Sequence, residues 1–297
     1  MFDVVVVGGG PAGLSASLML GRCRRRVLLC DTAEPRNRFS TALHGYLTRD
    51  GVNPTQFNEL GRQELTRYGV ECRKVGVTGA ERMNDGFDVS LADGRTERTR
   101  FLLIATGVVD DLPDLPGAPQ CYGRSLFHCP YCDGWERRDQ RLVVFGKGLG
   151  GVKLALSLRT WSRSVALCTD GTRIVSAGRG RLARNGIELR SAKIARLDHT
   201  DGQVAAVVFA TGDRLAADAV FFTTGQHPQC DLAVRLGCAF NRRGTVDTGN
   251  LSETNVPGVF VAGDASRDAQ FVVVAAAEGV KAALAINQTM QRQELVA

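Results

Sequence analysis

The sequence has no run of about 18 consecutive apolar residues, the length that a membrane-spanning helix requires. Its first residues lack the basic start and the small-residue cleavage pattern of a secretory signal peptide. It also lacks low-complexity tracts and any basic stripe interleaved with aromatic residues. These absences predict a cytoplasmic protein with no membrane and no nucleic acid among its partners.

Neither sign of charge dominates, because 37 Lys and Arg residues stand against 31 Asp and Glu residues, for a net charge of +6. This small positive excess is compatible with phosphate-bearing cofactors and with an acidic protein partner, and it does not distinguish between them. The 297 residues are 44% hydrophobic and 23% charged, as in ordinary globular proteins. A chain of this length is expected to form two domains.

The odd number of cysteines, nine, and their mostly wide spacing do not fit a secreted disulfide framework. Only Cys129 and Cys132 are near each other, as a C-x-x-C pair, which can be half of a zinc site, two inert core thiols or a redox dithiol. A zinc site needs two further ligands, whereas the other cysteines are isolated and the nearest histidine is the adjacent His128. A redox dithiol without a metal is therefore favoured, and the other cysteines are expected to be small buried apolar residues.

The chain begins with the pattern strand, glycine turn, helix, strand. Residues 3–7 are apolar, the turn reads Gly8-Gly9-Gly10-Pro11-Ala12-Gly13, and a second apolar run ends at Asp31. The glycines of a G-x-G-x-x-G turn allow a tight bend, close approach of a pyrophosphate and close helix packing. An acidic residue at the end of the second strand accepts hydrogen bonds from a ribose. This βαβ unit predicts dinucleotide binding.

A second βαβ unit lies about 140 residues further on, with the glycine turn Gly146, Gly148 and Gly151. We predict an α/β fold of two Rossmann-like dinucleotide-binding domains, the second inserted in the first and joined to it by a two-strand linker. Residues 1–112 and 245–297 are expected to form the first domain, and residues 113–244 the inserted domain with the C-x-x-C pair. Helices are expected over 53–68 and from about 270 to 290.

The residues around the dithiol suggest how it works. If Cys132 opens a helix, the helix dipole and nearby donors would lower the thiol pKa values of the pair and favour the thiolate. The carboxyl of Asp133, which follows directly, can shuttle a proton during thiol–disulfide exchange. His128 can tune Cys129 as a neighbouring base, although a histidine at this position also packs locally.

Several stretches together resemble the low-molecular-weight thioredoxin reductase family of flavoproteins. They are VVGGGPAGLSAS at the start, IATG at 104–107, HCPYCDGWE at 128–136, FFTTG at 221–225 and VFVAGDA at 259–265, followed by Gln270 and an Ala-rich helix. They span nearly the whole chain. The resemblance implies an FAD-dependent thiol–disulfide oxidoreductase that is a homodimer and acts on a thioredoxin-like protein or a small dithiol or disulfide.

The resemblance also implies where FAD is held. The loop from Gly8 to Gly13 and Asp31 would bind its phosphates and ribose. Gly263 and Asp264 would lie at the ribityl or phosphate part, with Gln270 near the flavin. Thr106 and Gly107 are expected to end a strand against the flavin domain, and His44 is a further candidate to approach the flavin.

Roles for the dithiol follow from the same resemblance. Cys132 would face the flavin and form the charge-transfer thiolate, while Cys129 would exchange with the substrate. Asp133 matches the acid–base aspartate of the family.

The electron donor is the point at which the sequence departs from the family. The inserted domain of a thioredoxin reductase binds NADPH with a basic cluster after its second strand, but here Asp170 stands there, with Arg173 as the nearby cation. A carboxylate repels a 2′-phosphate, whereas it accepts hydrogen bonds from the ribose diol of NADH. Three alternatives therefore remain: NADPH or NADH, a ferredoxin or another flavin as donor, and a gliotoxin-oxidase-like dithiol oxidase that passes electrons to oxygen.

Overall fold

The strand and helix predicted at the amino terminus are present in the computed structural model, which describes residues 1–266 and 269–295. Up to residue 110 the elements are β1 (Phe2–Val7), α1 (Pro11–Arg22), β2 (Val27–Asp31), α2 (Pro54–Thr66), β3 (Glu71–Lys74), β4 (Val77–Met83), β5 (Gly86–Leu91), β6 (Thr96–Ile104) and β7 (Val108–Asp110). A single 3₁₀ turn lies at Arg36–Phe39.

The remaining elements follow in two groups. Residues 111–225 contain α3 (Ala118–Cys121), β8 (Leu126–Phe127), α4 (Pro130–Asp133), β9 (Leu142–Gly146), α5 (Gly148–Leu158), β10 (Val165–Cys168), α6 (Ser176–Arg184), β11 (Glu188–Arg190), β12 (Ile194–Thr200), β13 (Gln203–Phe209), β14 (Arg214–Ala216) and β15 (Ala219–Thr223). The last group is β16 (Gln226–Pro228), α7 (Leu232–Arg235), β17 (Val259–Val261) and α8 (Val272–Leu295), with a 3₁₀ turn at Gly263–Ala265.

Two compact units divide the chain. The first unit comprises Met1–Arg38, Gly45–Val109 and His227–Ala297, and the second comprises Phe39–His44 and Asp110–Gln226. The chain passes between them in β7 and β16, which pair as a two-stranded sheet and correspond to the predicted linker.

The first unit is built on a seven-stranded sheet in the order β3-β2-β1-β6-β5-β4, with β17 beside β6. Its central strand β1 runs parallel to β2 and β6 and is apolar on both faces, as is typical of a covered parallel strand. Val4 and Val6 pack with the helices α1 and α8, and Val5 packs into the cluster on the other face. The predicted dinucleotide turn thus begins at the carboxyl end of a central strand.

Two predicted helices are confirmed in this unit. The helix expected over 53–68 is α2, which begins at Pro54 after Asn53, whose side chain accepts from the backbone N–H of Thr55 at 2.9 Å. This is an N-cap followed by proline at the first helical position. The Ala-rich C-terminal helix is α8, and a Cβ atom at Gly279 would lie 2.0 Å from the carbonyl oxygen of Ala12, so glycine is required for its close packing on α1.

The second unit contains a five-stranded sheet in the order β11-β10-β9-β15-β8, in which all neighbouring strands are parallel. A separate antiparallel sheet of β12, β13 and β14 accompanies it. The β9–α5–β10 segment is the second βαβ unit that the sequence predicts. The α/β class is confirmed.

The boundaries between the two units differ from the predicted domain boundaries at residues 113 and 244. Residues 227–244 lie in the first unit because Leu232, Ala233 and Cys238 are buried in the same apolar cluster as Phe2. The segment Phe39–His44 lies in the second unit, where the ring of Phe39 is 5.2 Å from that of Tyr122. Neither assignment has a local sequence signal.

Within the described residues, no helix is both long and apolar enough to cross a membrane.

Candidate functional site

The first glycine turn needs glycine for two different reasons. A Cβ atom at Gly8, whose φ is +104°, would lie 2.5 Å from the carbonyl oxygen of Ala105, and one at Gly13 would lie 1.8 Å from the carbonyl oxygen of Gly8. At Gly10 a Cβ atom would meet nothing within 4 Å, and its φ of −76° is ordinary. Gly8 and Gly13 are therefore needed for the turn itself, while Gly10 leaves its backbone open to a ligand at the start of α1.

Asp31 lies at the end of β2, directly over this turn. A Cβ atom at Gly9 would lie 2.6 Å from the Asp31 carboxyl carbon, so this third glycine makes room for the aspartate. Asp31 accepts a hydrogen bond from Arg62 Nη2 at 2.8 Å. Sequence reasoning missed both Gly9 and Arg62, and the latter is one of many polar residues on an amphipathic helix. The ribose contact of Asp31 stays a prediction.

A second group of residues lies after β17. Gly263 has a φ of +78°, and a Cβ atom on it would lie 2.9 Å from the Cβ of Ala12 in the glycine turn. Arg36 Nη1 donates to Gln270 Oε1 at 2.7 Å and lies 3.1 Å from Asp264 Oδ2. The structure thus brings two predicted site residues together around an arginine that the sequence did not single out.

Thr106 and Gly107 follow β6, as predicted. Gly107 has a φ of +72°, and its carbonyl oxygen accepts from the backbone N–H of Gln229 at 3.2 Å. The Thr106 hydroxyl lies 3.7 Å from the sulfur of Cys230.

The first unit fits a flavin dinucleotide on two observations. The open backbone of Gly10 at a helix amino terminus suits a pyrophosphate. The amide nitrogen of Gln270 is buried and has no hydrogen-bond partner among the described residues. A bound ligand that offers an acceptor would satisfy this donor.

The C-x-x-C pair is a disulfide between Cys129 and Cys132, with the Cα atoms 5.3 Å apart. Cys129 is the N-cap of the short helix α4, and its sulfur accepts from the backbone N–H of Cys132 at 3.2 Å. Both cysteines are half-buried. No group of three or more His, Cys, Asp or Glu side chains in the described part of the chain is placed to hold a metal ion.

Asp133, next to the disulfide, has its pKa raised to about 7. Burial is the main cause and the negative charge of Glu136 adds to it, while His44 and Arg137 oppose the shift. His44 Nε2 lies 3.5 Å from Glu136 Oε1, so the segment Phe39–His44 supplies a group near the dithiol that sequence reasoning did not place there. A carboxyl with a pKa near 7 can both give and take a proton at neutral pH.

His128 lies with its Nδ1 3.6 Å from Asp110 Oδ2. Asp110 also accepts from the Tyr122 hydroxyl at 2.5 Å, and its side chain is only 3% exposed. This contact gives His128 a local partner, and tuning of Cys129 by its ring stays a prediction. The sequence did not single out Asp110.

In the second glycine turn, which lies in the other unit, the third glycine packs against the first, as in the first turn. A Cβ atom at Gly146 would lie 2.7 Å from the Cα of Gly151, and one at Gly151 would lie 2.6 Å from the carbonyl carbon of Gly146. Gly148 has a φ of +55° and meets nothing within 4 Å. The turn fits a pyrophosphate at the start of α5.

Asp170, at the end of β10, has partners for both carboxyl oxygens. Oδ1 accepts from the backbone N–H of Ile194 at 3.1 Å, and Oδ2 lies 3.6 Å from Lys147 Nζ. Sequence reasoning named Arg173 as the nearby cation and overlooked Lys147, which comes from within the glycine turn. A carboxylate at this position does not fit a 2′-phosphate.

The remaining cysteines are only partly as predicted. Cys30, Cys121, Cys168 and Cys238 are buried, and burial raises the pKa of Cys30 to about 11 and that of Cys168 to about 12. Cys23 and Cys72 are exposed, so the expectation of buried thiols is wrong for them. The first caps the end of α1, and the second lies on the edge strand β3.

Known proteins resemble this chain over nearly its full length. The thioredoxin reductase aclD of Aspergillus oryzae is 30% identical over 300 residues, covering 96% of this chain and 95% of that protein. The crystal structure of a thioredoxin reductase, TrxB, from Bacillus anthracis has 30% identity and a TM-score of 0.95, covering 99% of this chain and 100% of that one. The crystal structure of HlmI has 36% identity and a TM-score of 0.96, covering 99% of this chain and 94% of that one.

These likenesses confirm the predicted fold and the resemblance to thioredoxin reductases. A family model described as pyridine nucleotide-disulphide oxidoreductase matches residues 2–279, which is most of the sequence. The chain belongs to the pyridine nucleotide-disulphide oxidoreductase family.

Proposed function

We propose that this FAD-dependent disulfide oxidoreductase of the thioredoxin reductase type works through Cys129 and Cys132, which pass electrons between FAD and a disulfide substrate. The observation that carries the proposal is the half-buried disulfide, followed directly in the sequence by a carboxyl of raised pKa. The pair exchanges two electrons and two protons as it passes between disulfide and dithiol. The substrate is a thioredoxin-like protein or a small disulfide.

The proposed exchange with substrate divides the work among three residues. The Cys129 thiolate attacks a substrate sulfur, forms a mixed disulfide and releases the other substrate sulfur as a thiolate. Protonated Asp133 gives its proton to a departing thiolate. Cys132 then gives its proton to the Asp133 carboxylate and attacks Cys129 as a thiolate, which restores the Cys129–Cys132 disulfide and releases the second substrate sulfur as a thiolate.

We place FAD in the first unit, on the turn from Gly8 to Gly13 and near Asp264 and Gln270. When bound, the flavin would supply hydride transfer, which no side chain offers. Among the chain's own groups, the backbone at Gly10 and the start of α1 would hold the anionic phosphates.

Replacement of Gly10 by alanine tests this placement. The added methyl group meets no protein atom within 4 Å and the φ of −76° suits alanine, so the apoprotein should melt at the wild-type temperature. The methyl would stand where the pyrophosphate approaches, and FAD should bind at least ~10-fold more weakly. Fluorescence titration of apoprotein with FAD measures this. An unchanged FAD affinity would contradict the placement.

The electron donor is tested by anaerobic mixing of the oxidised holoenzyme with NADPH, NADH, a small dithiol and reduced ferredoxin in parallel. Because Asp170 opposes a 2′-phosphate, we expect NADPH to bleach the flavin more slowly than NADH, by at least ~10-fold. The absorbance of the oxidised flavin is followed with time. Faster bleaching by NADPH would show that the Asp170 carboxylate does not select against it.

The same observation supports a second candidate, a dithiol oxidase. The Asp170 carboxylate opposes the 2′-phosphate of NADPH, and a dithiol oxidase needs no pyridine nucleotide as donor. An oxidase converts a dithiol and O₂ into a disulfide and H₂O₂, and in the mixing experiment only the dithiol would then bleach the flavin. Bleaching by reduced ferredoxin alone would instead identify a ferredoxin-fed reductase.

We further propose a cytoplasmic homodimer. The exposed thiols of Cys23 and Cys72 suit a reducing compartment. Val273 and Leu284 on α8 are each 46% exposed and offer apolar surface to a second copy. Sedimentation velocity distinguishes a dimer from the 31.9 kDa monomer, and a monomer at micromolar concentration would rule the dimer out.

A further inference from the structure

Arg36 lies between two polar side chains of the first unit that come from the far end of the sequence. Its Nη1 donates to Gln270 Oε1 at 2.7 Å and pairs with Asp264 Oδ2 at 3.1 Å. The side chains of Arg36 and Asp264 are only 16% and 21% exposed. Partial burial strengthens such charge-assisted bonds, so the arginine holds both partners in place.

This contact decides which way the Gln270 amide is turned. A guanidinium only donates hydrogen bonds, whereas an amide has one accepting oxygen and one donating nitrogen. Gln270 must therefore direct Oε1 to Arg36 and Nε2 away from it. Nε2 is buried and has no acceptor among the described residues. A buried donor without a partner is costly, which points to an acceptor supplied by a ligand.

We propose that Arg36 is a positioning residue of the FAD site, which acts by orienting Gln270 so that Nε2 donates to an oxygen or nitrogen acceptor of the flavin. The inference rests on the proposed placement of FAD in the first unit. It adds a residue from the 3₁₀ turn at Arg36–Phe39 to a site otherwise formed by the glycine turn and the segment after β17.

A double-mutant cycle tests whether Arg36 acts through Gln270. Arg36→Met, Gln270→Met and the double variant are prepared as apoproteins and titrated with FAD. Each single change should weaken FAD binding by ~10-fold. The FAD affinity of the double variant should be within about twofold of that of the single variant that binds FAD more weakly. The visible absorption maximum of the bound flavin should shift alike in all three. Arg98→Met is the matched control, because Arg98 also pairs with an aspartate, Asp85, at 3.0 Å but on the exposed surface.

Two results would overturn the inference while leaving the proposed function intact. One is a wild-type FAD affinity for Arg36→Met, and the other is an additive loss of about 100-fold in the double variant.

If Arg36→Met does not fold, Gln270→Glu decides the question. Glutamate keeps the pair with Arg36 but replaces the Nε2 donor by an oxygen, so FAD should bind at least ~10-fold more weakly at an unchanged apoprotein melting temperature. Unchanged binding would refute the donor role. A wild-type protein that binds no FAD, in contrast, would refute the proposed function itself.

Discussion

Cys129→Ser, Cys132→Ser and the double variant should each lose at least ~10³-fold in turnover, and by similar factors, because the two sulfurs act as one unit. Bound FAD should be retained in all three.

The single variants separate the two proposed roles. Cys132→Ser leaves Cys129 to attack a substrate disulfide and form a mixed disulfide that cannot be resolved, so mass spectrometry should detect a substrate-derived thiol on Cys129. Cys129→Ser should instead leave a Cys132 thiolate that gives the bound flavin a long-wavelength absorption band.

Cys23→Ser is the matched control for these variants. Cys23 is an exposed single cysteine at the end of α1, so turnover should stay within about twofold of the wild-type value. The assignment fails if Cys129→Ser turns over at the wild-type rate, or if the trapped thiol is found on Cys132 when Cys129 is present.

Asp133→Asn should lower turnover by ~10²-fold or more, because it removes the group that donates a proton to the departing thiolate. The pKa of Asp133 is about 7, so the carboxyl is protonated below that pH and loses its proton as the pH rises through it. When exchange limits turnover, the wild-type rate should therefore fall by up to tenfold per pH unit above about 7. The pH profile of Asp133→Asn should lack this inflection. An inflection retained in the variant would assign it to another group.

Glu136→Gln refines this test. The negative charge of Glu136 helps to raise the pKa of Asp133, so its removal should shift the inflection to lower pH and retain most of the turnover. Arg137→Gln should move it in the opposite direction, since Arg137 lowers the same pKa.

The raised pKa also has a consequence for stability. The folded protein binds the Asp133 proton more tightly than the unfolded chain, whose carboxyl titrates near the ordinary value of about 3.9. The contribution of Asp133 to the free energy of unfolding is therefore greatest below about pH 4. It declines as the pH rises to about 7. Asparagine cannot ionise, so the difference in unfolding free energy between wild type and Asp133→Asn should decline over the same range in urea titrations.

Local patterns were sufficient to predict the parts of the candidate site that lie within one βαβ unit or one short segment. The turn from Gly8 to Gly13 is close-packed in the way that G-x-G-x-x-G predicts, and Asp31 lies over it. The redox role of the Cys129–Cys132 pair is predicted from its C-x-x-C spacing together with the lack of further zinc ligands near it in the sequence. In each case a few neighbouring residues determine the backbone conformation, and the sequence signal is correspondingly strong.

Long-range partners were not predictable in this way. Arg36 contacts Gln270, which lies 234 positions away in the sequence, and Arg62 of the helix α2 contacts Asp31 at the end of the strand β2. His44 and Asp110 likewise meet the dithiol region only through the tertiary fold. Each is an ordinary charged residue or histidine in its local context, so only the packing of distant elements reveals its role.

The interleaved order of the two units determines when each can be completed during synthesis. In the first unit, Val4 shares an apolar cluster with Phe260 and Ala282, and β17 pairs with β6. This core cannot close until the last part of the chain has left the ribosome. The second unit has all its strands once Gln226 has emerged, and domains fold as units during translation. We therefore expect a nascent chain to hold a folded dithiol unit before it holds the proposed flavin site, so that cofactor loading would be a late event in the life of the molecule.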